Sequence, residues 1–138
     1  MGWRRLTDLL LDTHVWIWSI VSRTRTQPSI RALIDSAASP LLSVSSLYEV
    51  AYKARLGKWP EVLSFSGRLA ELASEQGVHI VNIDAEIAVR AAQLDWAHRD
   101  PFDRLIAATA ITRGATLISA DAQFDDLDSR PDWPGRLW

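Results

Sequence analysis

The chain contains no cysteine, which excludes disulfides and any metal site built on thiolates. Its three histidines, His14, His79 and His98, stand at no short ligand spacing from one another, which argues against zinc. No apolar run approaches the roughly 20 residues needed to cross a bilayer. The opening MGWRRLTDLLLDTHVWIWSI places basic residues before apolar ones, as a signal peptide would. Asp8 and Asp12 interrupt it, however, and no small-residue cleavage site follows, so a cytoplasmic protein is expected. Strong charge of one sign is also missing: 15 cations against 17 acids leave a net charge of −2. That is not the footprint of a high-affinity nucleic-acid binder, although an enzyme touching a few phosphates remains compatible with it. Lysine is scarce, and 13 of the 15 cations are arginine, the residue suited to forked phosphate contacts. Arginine-rich composition has other causes, so this signal is weak.

What is present points to an ordinary soluble globular domain. At 138 residues, 48% hydrophobic and 23% charged, the chain is expected to be a single domain over 1–138, with 1–7 as an N-terminal extension. TDLLLD, PLLSVS, VHIVNI and ATLISAD read as short buried strands. Between them, THVWIWSIV, PSIRALIDSAAS, SLYEVAYKARLGKW, PEVLSFSGRLAELASEQG, DAEIAVRAAQLDWA and DPFDRLIAATAITRG read as helices, several opened by proline or aspartate and closed by glycine. The tail AQFDDLDSRPDWPGRLW is turn-rich, with room for a short closing strand. Strands alternating with helices predict a three-layer α/β/α domain around a parallel sheet of four to five strands.

Such sheets bind ligands beyond the carboxyl ends of their strands. Asp12 ends strand 1, Glu49 lies in the first helical turn after strand 2, and Asp121 follows strand 4. Asp103 lies in the first turn of the helix leading into strand 4. With strand 1 central and strand 4 beside it, Asp12 and Asp121 become neighbours. Each acid also has a local explanation. Asp12 can cap the following helix, Asp100 and Asp103 suit a helix start, and Asp121 suits an Asx turn. Ser46 and Glu49 fit a capping box, and Glu49 can pair with Lys53. Asp84 also follows a strand, and its expected role is only a cap. If the four acids converge, two carboxylates about 5 Å apart repel by roughly 3 kcal/mol at an effective dielectric near 20. Oxygen ligands of this kind suit Mg²⁺ or Mn²⁺, and phosphodiester hydrolysis is the reaction that fits best.

The segments LLLDTHVWIW, SVSSLYEVAYKARLGKW, HRDPFDRLIAATA and TLISADAQF occur in the order and at roughly the separations found in PIN-domain toxins of the VapC type. The chain resembles that family over about residues 8–127. The resemblance implies an Mg²⁺- or Mn²⁺-dependent endoribonuclease with catalytic acids Asp12, Glu49, Asp103 and Asp121. Of these, Asp12, Asp103 and Asp121 would be the metal ligands. Thr13 and Ser119 match the hydroxyl positions beside the first and last acids, and Asp100 is a supporting residue near the site. The resemblance also implies a homodimer and a small cognate antitoxin as partner. Residues 1–5 precede the usual start, and the tail beyond Asp128 matches no motif.

Further expectations concern the surroundings. Lys53, Arg55 and Lys58 are candidates to hold an RNA backbone, against a reading as a solvated helix face. Arg104 is expected to pair with an acid. Trp16 and Trp18 fall on opposite sides of the first helix, so one of them, with Trp59 and Tyr52, can form an exposed apolar surface for the antitoxin. Two other readings are a catalytically silent PIN-like binding module and a receiver-like phospho-acceptor. Silence should show as loss of site acids, and all four are present. A receiver needs a late lysine, and both lysines lie early.

Overall fold

The computed structural model describes residues 8–138, so the proposed extension over 1–7 lies outside the described residues. Five strands, β1 (Leu9–Leu11), β2 (Leu41–Ser43), β3 (His79–Val81), β4 (Thr116–Ile118) and β5 (Arg136–Leu137), form one sheet in the order β3-β2-β1-β4-β5. Every pairing is parallel. Among the described residues, six α-helices cover it: α1 (Thr13–Val21), α2 (Pro28–Ser36), α3 (Val44–Arg55), α4 (Leu69–Glu75), α5 (Ala85–Gln93) and α6 (Pro101–Arg113). Among the described residues, no helix is long and apolar enough to cross a membrane.

Strand side chains alternate between the two faces of a sheet, and the leucine runs use both. Leu10, Leu41 and Leu117 join Ile106, Ala110 and Phe124 in a core beneath α6. Leu9, Leu11, Leu42 and Ile118 join Val15, Trp16, Val50 and Leu69 on the opposite face, beneath α1, α3 and α4. Full burial of each leucine contributes about 1.5–3 kcal/mol. The central strands are therefore apolar throughout, and polar groups can enter only at their ends. α5 packs mainly on α6 through Ile87, Ala91 and Ala108. Gly114, with φ 63°, takes the left-handed turn that ends α6.

Several helix boundaries differ from the sequence reading: α2 stops at Ser36 and α5 at Gln93, each short of the expected end. α3 starts at Val44, capped by Ser43, whose Oγ accepts from the Ser45 amide at 3.2 Å. Ser46 is therefore no cap, and Glu49 falls in the second turn instead of the first. Ser43 both closes β2, in register with Val81, and opens the helix, which leaves no residues for a separate start. The segment 60–76 divides into 3₁₀ turns over Pro60–Arg68 followed by α4.

Candidate active site

β1 is the middle strand, so its carboxyl end is flanked by the ends of β2 and β4. Asp12 stands there, 5% exposed. One carboxylate oxygen, Oδ1, accepts from the Thr13 amide at 2.8 Å, and Oδ2 accepts from the Ser119 hydroxyl at 2.6 Å. Ser119 is fully buried, and its Oγ also accepts from the Asp121 amide at 3.0 Å. One hydroxyl therefore ties the end of β4, and Asp121 with it, to Asp12. The Thr13 and Ser46 hydroxyls meet at 2.8 Å, joining the start of α1 to the first turns of α3.

Burial raises the Asp12 pKa, against the opposing pull of the Ser119 hydrogen bond, the His14 charge and the Thr13 amide; the Glu49 charge pushes it further up. Asp103, in the first turn of α6, is pushed up to about 6, first by burial and then by the charges of Asp12 and Asp100, with His98 opposing. The charge of Glu49 thus reaches Asp12, and that of Asp12 reaches Asp103. Glu49 is buried and receives the Lys53 ammonium at 2.6 Å. Asp121 is half-buried, and its Oδ1 accepts from the Gln123 amide at 2.9 Å. Asp100 caps α6 by accepting from the Phe102 amide at 2.9 Å. The local roles anticipated for Asp12, Asp100 and Asp121 are thus filled at the same positions that bring them to one end of the sheet.

The acids are gathered but not closed into one ligand set. Among the described residues, the three candidate ligands whose donor atoms lie within 4.8 Å of one another are His98, Asp100 and Asp103. His98 Nε2 lies 2.6 Å from Asp103 Oδ2. Spacing between histidines gives no sign of this contact. The signal is the run His98–Asp103, in which Asp100-Pro101 turns the chain into a helix and folds the acid back over the imidazole. A hard divalent cation fits the donors present. Asp12 is buried, its pKa is raised, and among the described residues no ammonium or guanidinium forms an ion pair with it. Burying an unpaired carboxylate is costly unless a cation offsets it.

Two expectations are corrected. Arg104 pairs with no acid. Its guanidinium donates to five backbone carbonyls, those of Ala91, Ala92, Leu94, Trp96 and His98, at 2.6–3.3 Å. The carbonyls left over where α5 stops need donors, and Arg104 supplies them. Trp16 belongs to no exposed surface: it is 0% exposed, and its indole N–H donates to Gln76 Oε1 at 2.8 Å. Trp18 and Trp59 are half-buried, both beside the exposed His14 ring. Lys53 lies 5.1 Å over the Trp59 ring and Arg55 5.7 Å over Tyr52, while Lys58 is exposed. A cavity of about 340 Å³, lined by residues including Thr26, Arg31, Pro40 and Gly77, has none of Asp12, Glu49, Asp103 and Asp121 in its wall.

The sequence profile of the PIN domain matches residues 9–129. Ribonuclease VapC22 of Mycobacterium tuberculosis (strain ATCC 25618 / H37Rv) is 33% identical over 120 residues, covering 84% of this chain and 88% of that protein. Among solved structures, a chain of VapBC2 from Rickettsia felis, bound to a DNA fragment from its promoter, superposes with a TM-score of 0.68. It is 20% identical, covering 92% of this chain and 96% of that one. A chain of FitAcB from Neisseria gonorrhoeae gives a TM-score of 0.60 at 25% identity, covering 87% and 93%. A sequence match over most of the chain, together with the same parallel-sheet fold, makes this protein a member of the PIN-domain family, in its VapC-type branch.

Proposed function

We propose that the protein is a divalent-ion-dependent endoribonuclease and the toxin of a toxin–antitoxin pair. The observation that carries this reading is Asp12: a buried carboxylate at the end of the central strand, without a paired cation among the described residues, its pKa pushed up by burial and the charge of Glu49, and its own charge pushing up that of Asp103. Asp12, Asp103 and Asp121 are the residues that would hold Mg²⁺ or Mn²⁺. When bound, such an ion lowers the pKa of water and offsets charge on a phosphoryl oxygen. Thr13 and Ser119 fix the Asp12 carboxylate, and His98 fixes that of Asp103. Lys53 pairs with Glu49 at 2.6 Å at the edge of the site. Arg55 and Lys58 remain available to RNA phosphates farther along.

The partner proposed is a small antitoxin docking on the half-buried Trp18 and Trp59. A homodimer belongs to the same proposal, and sedimentation measures it. Purified protein should cleave single-stranded RNA with Mg²⁺ or Mn²⁺ and lose at least about a hundredfold in rate on chelation or in Asp12→Asn. In the same assay, equimolar antitoxin should stop cleavage and shield tryptophan fluorescence from quencher. Undiminished cleavage in chelator or by Asp12→Asn overturns the mechanism, and unchanged tryptophan quenching overturns the docking surface.

A further inference from the structure

Helix α3 carries a feature that the acids leave unused. Tyr48 and Tyr52, one helical turn apart, are 62% and 39% exposed. Their rings are parallel to within 11°, with centroids 5.8 Å apart, and Tyr48 also meets Phe102 at 5.9 Å. Tyr48 directly precedes Glu49, and Phe102 directly precedes Asp103. Three rings from two elements therefore flank two of the site acids. On the far side, the Arg55 guanidinium lies over the Tyr52 ring, and Lys58 follows it on the surface.

Large exposed rings that pack on one another, and are not drawn into the core, mark a contact surface. The ligand has to suit flat faces interleaved with cations, at the rim of a pocket whose carboxylates repel phosphate. Unpaired nucleotides have that combination, an aromatic face to stack and a backbone charge for the flanking cations. We propose that Tyr48, supported by Tyr52 and Phe102, is a stacking platform for an unpaired base of the RNA next to the cleaved bond. The platform rests on the ribonuclease reading and makes it selective. In an A-form duplex the base faces are already stacked on each other, so Tyr48 has nothing to receive. Paired RNA then gains only the phosphate contacts.

Binding of a labelled single-stranded oligoribonucleotide, measured by anisotropy in chelator, should weaken by about five- to a hundredfold in Tyr48→Ala. Tyr48→Phe should keep most of the affinity, because the ring does the work and the hydroxyl does not. An oligomer with one abasic position beside the cleaved bond should bind wild type more weakly but Tyr48→Ala no more weakly than the intact oligomer. Duplex binding should be equal for all three proteins. In the ion-loaded enzyme, Tyr48→Ala should raise KM and leave kcat nearly unchanged. Equal affinity of Tyr48→Ala and wild type, or a loss that Tyr48→Phe does not restore, overturns the platform. So does a change of oligomeric state in Tyr48→Ala, which would assign the face to contact between copies. If wild type neither binds nor cleaves RNA, the nuclease reading falls and takes the platform with it. If wild type cleaves and Tyr48→Ala has the same KM, the platform falls alone.

Discussion

Two strand ends in this molecule look alike in sequence: β1 hands over to α1 through Asp12, and β3 hands over to α5 through Asp84. Both side chains cap the helix that follows, Asp12 by accepting from the Thr13 amide and Asp84 by accepting from the Ile87 amide at 2.9 Å. There the likeness ends. β3 is at the edge of the sheet, and Asp84 is exposed. β1 is in the middle, so neighbouring strand ends bring Ser119 and the charge of Glu49 against Asp12, and burial raises its pKa. Local chemistry explains a cap, whereas strand order decides whether the cap also faces other acids.

The comparison can be broken most sharply with the ion itself. At about 100 times its Kd, Mg²⁺ should stabilise wild type and Asp84→Asn by roughly 2.7 kcal/mol and Asp12→Asn by almost nothing, read as the shift in thermal midpoint. Equal shifts in all three proteins would place the ion elsewhere. A somewhat smaller effect belongs to Asp103. Its pKa is raised from 3.8 to about 6 in the folded protein, so the folded state binds its proton more tightly than the unfolded state does. The stability this gives is complete below about pH 4 and is lost as pH rises through about 6. Ion-free wild type should therefore lose about 2 kcal/mol relative to Asp103→Asn across that window. Parallel urea-denaturation profiles for the two proteins between pH 4 and 7 would contradict it. The smallest effect is the edge cap alone: Asp84→Ala should cost about 1 kcal/mol of stability and leave cleavage per folded molecule unchanged. A loss of cleavage in Asp84→Ala would erase the distinction between the two strand ends.

The placement of Asp12 and Asp121 at strand ends and of Asp103 at a helix start was legible because each lies in sequence just beyond a buried run or beside a helix-opening Asp-Pro. Glu49, by contrast, lies one turn deeper in α3 than its sequence suggests. Alternation of strands and helices made the parallel sheet legible, while the order with β1 in the middle entered the reading only as a condition, which the fold meets. The start of α3 was not legible, because Ser43, Ser45 and Ser46 offer the same local chemistry and the end of β2 chooses among them. Nor could periodicity decide which tryptophan of α1 turns inward. Trp16 does so because the opposite sheet face has space for it and Gln76 has an acceptor for its N–H. Arg104 was read through charge, and its actual partners are backbone carbonyls, a demand created only once α5 stops at Gln93. His98 was missed for a related reason, since its contact with Asp103 exists only after Pro101 starts α6.

The grip of Arg104 has one more consequence. Its guanidinium, rooted one residue after Asp103, holds the carbonyl of His98 at 2.9 Å and the Trp96 carbonyl at the same distance. The helix that presents the carboxylate therefore also carries the loop that presents the imidazole. If α6 shifts when a long substrate settles, both groups ride on the same body, and their 2.6 Å contact travels with them.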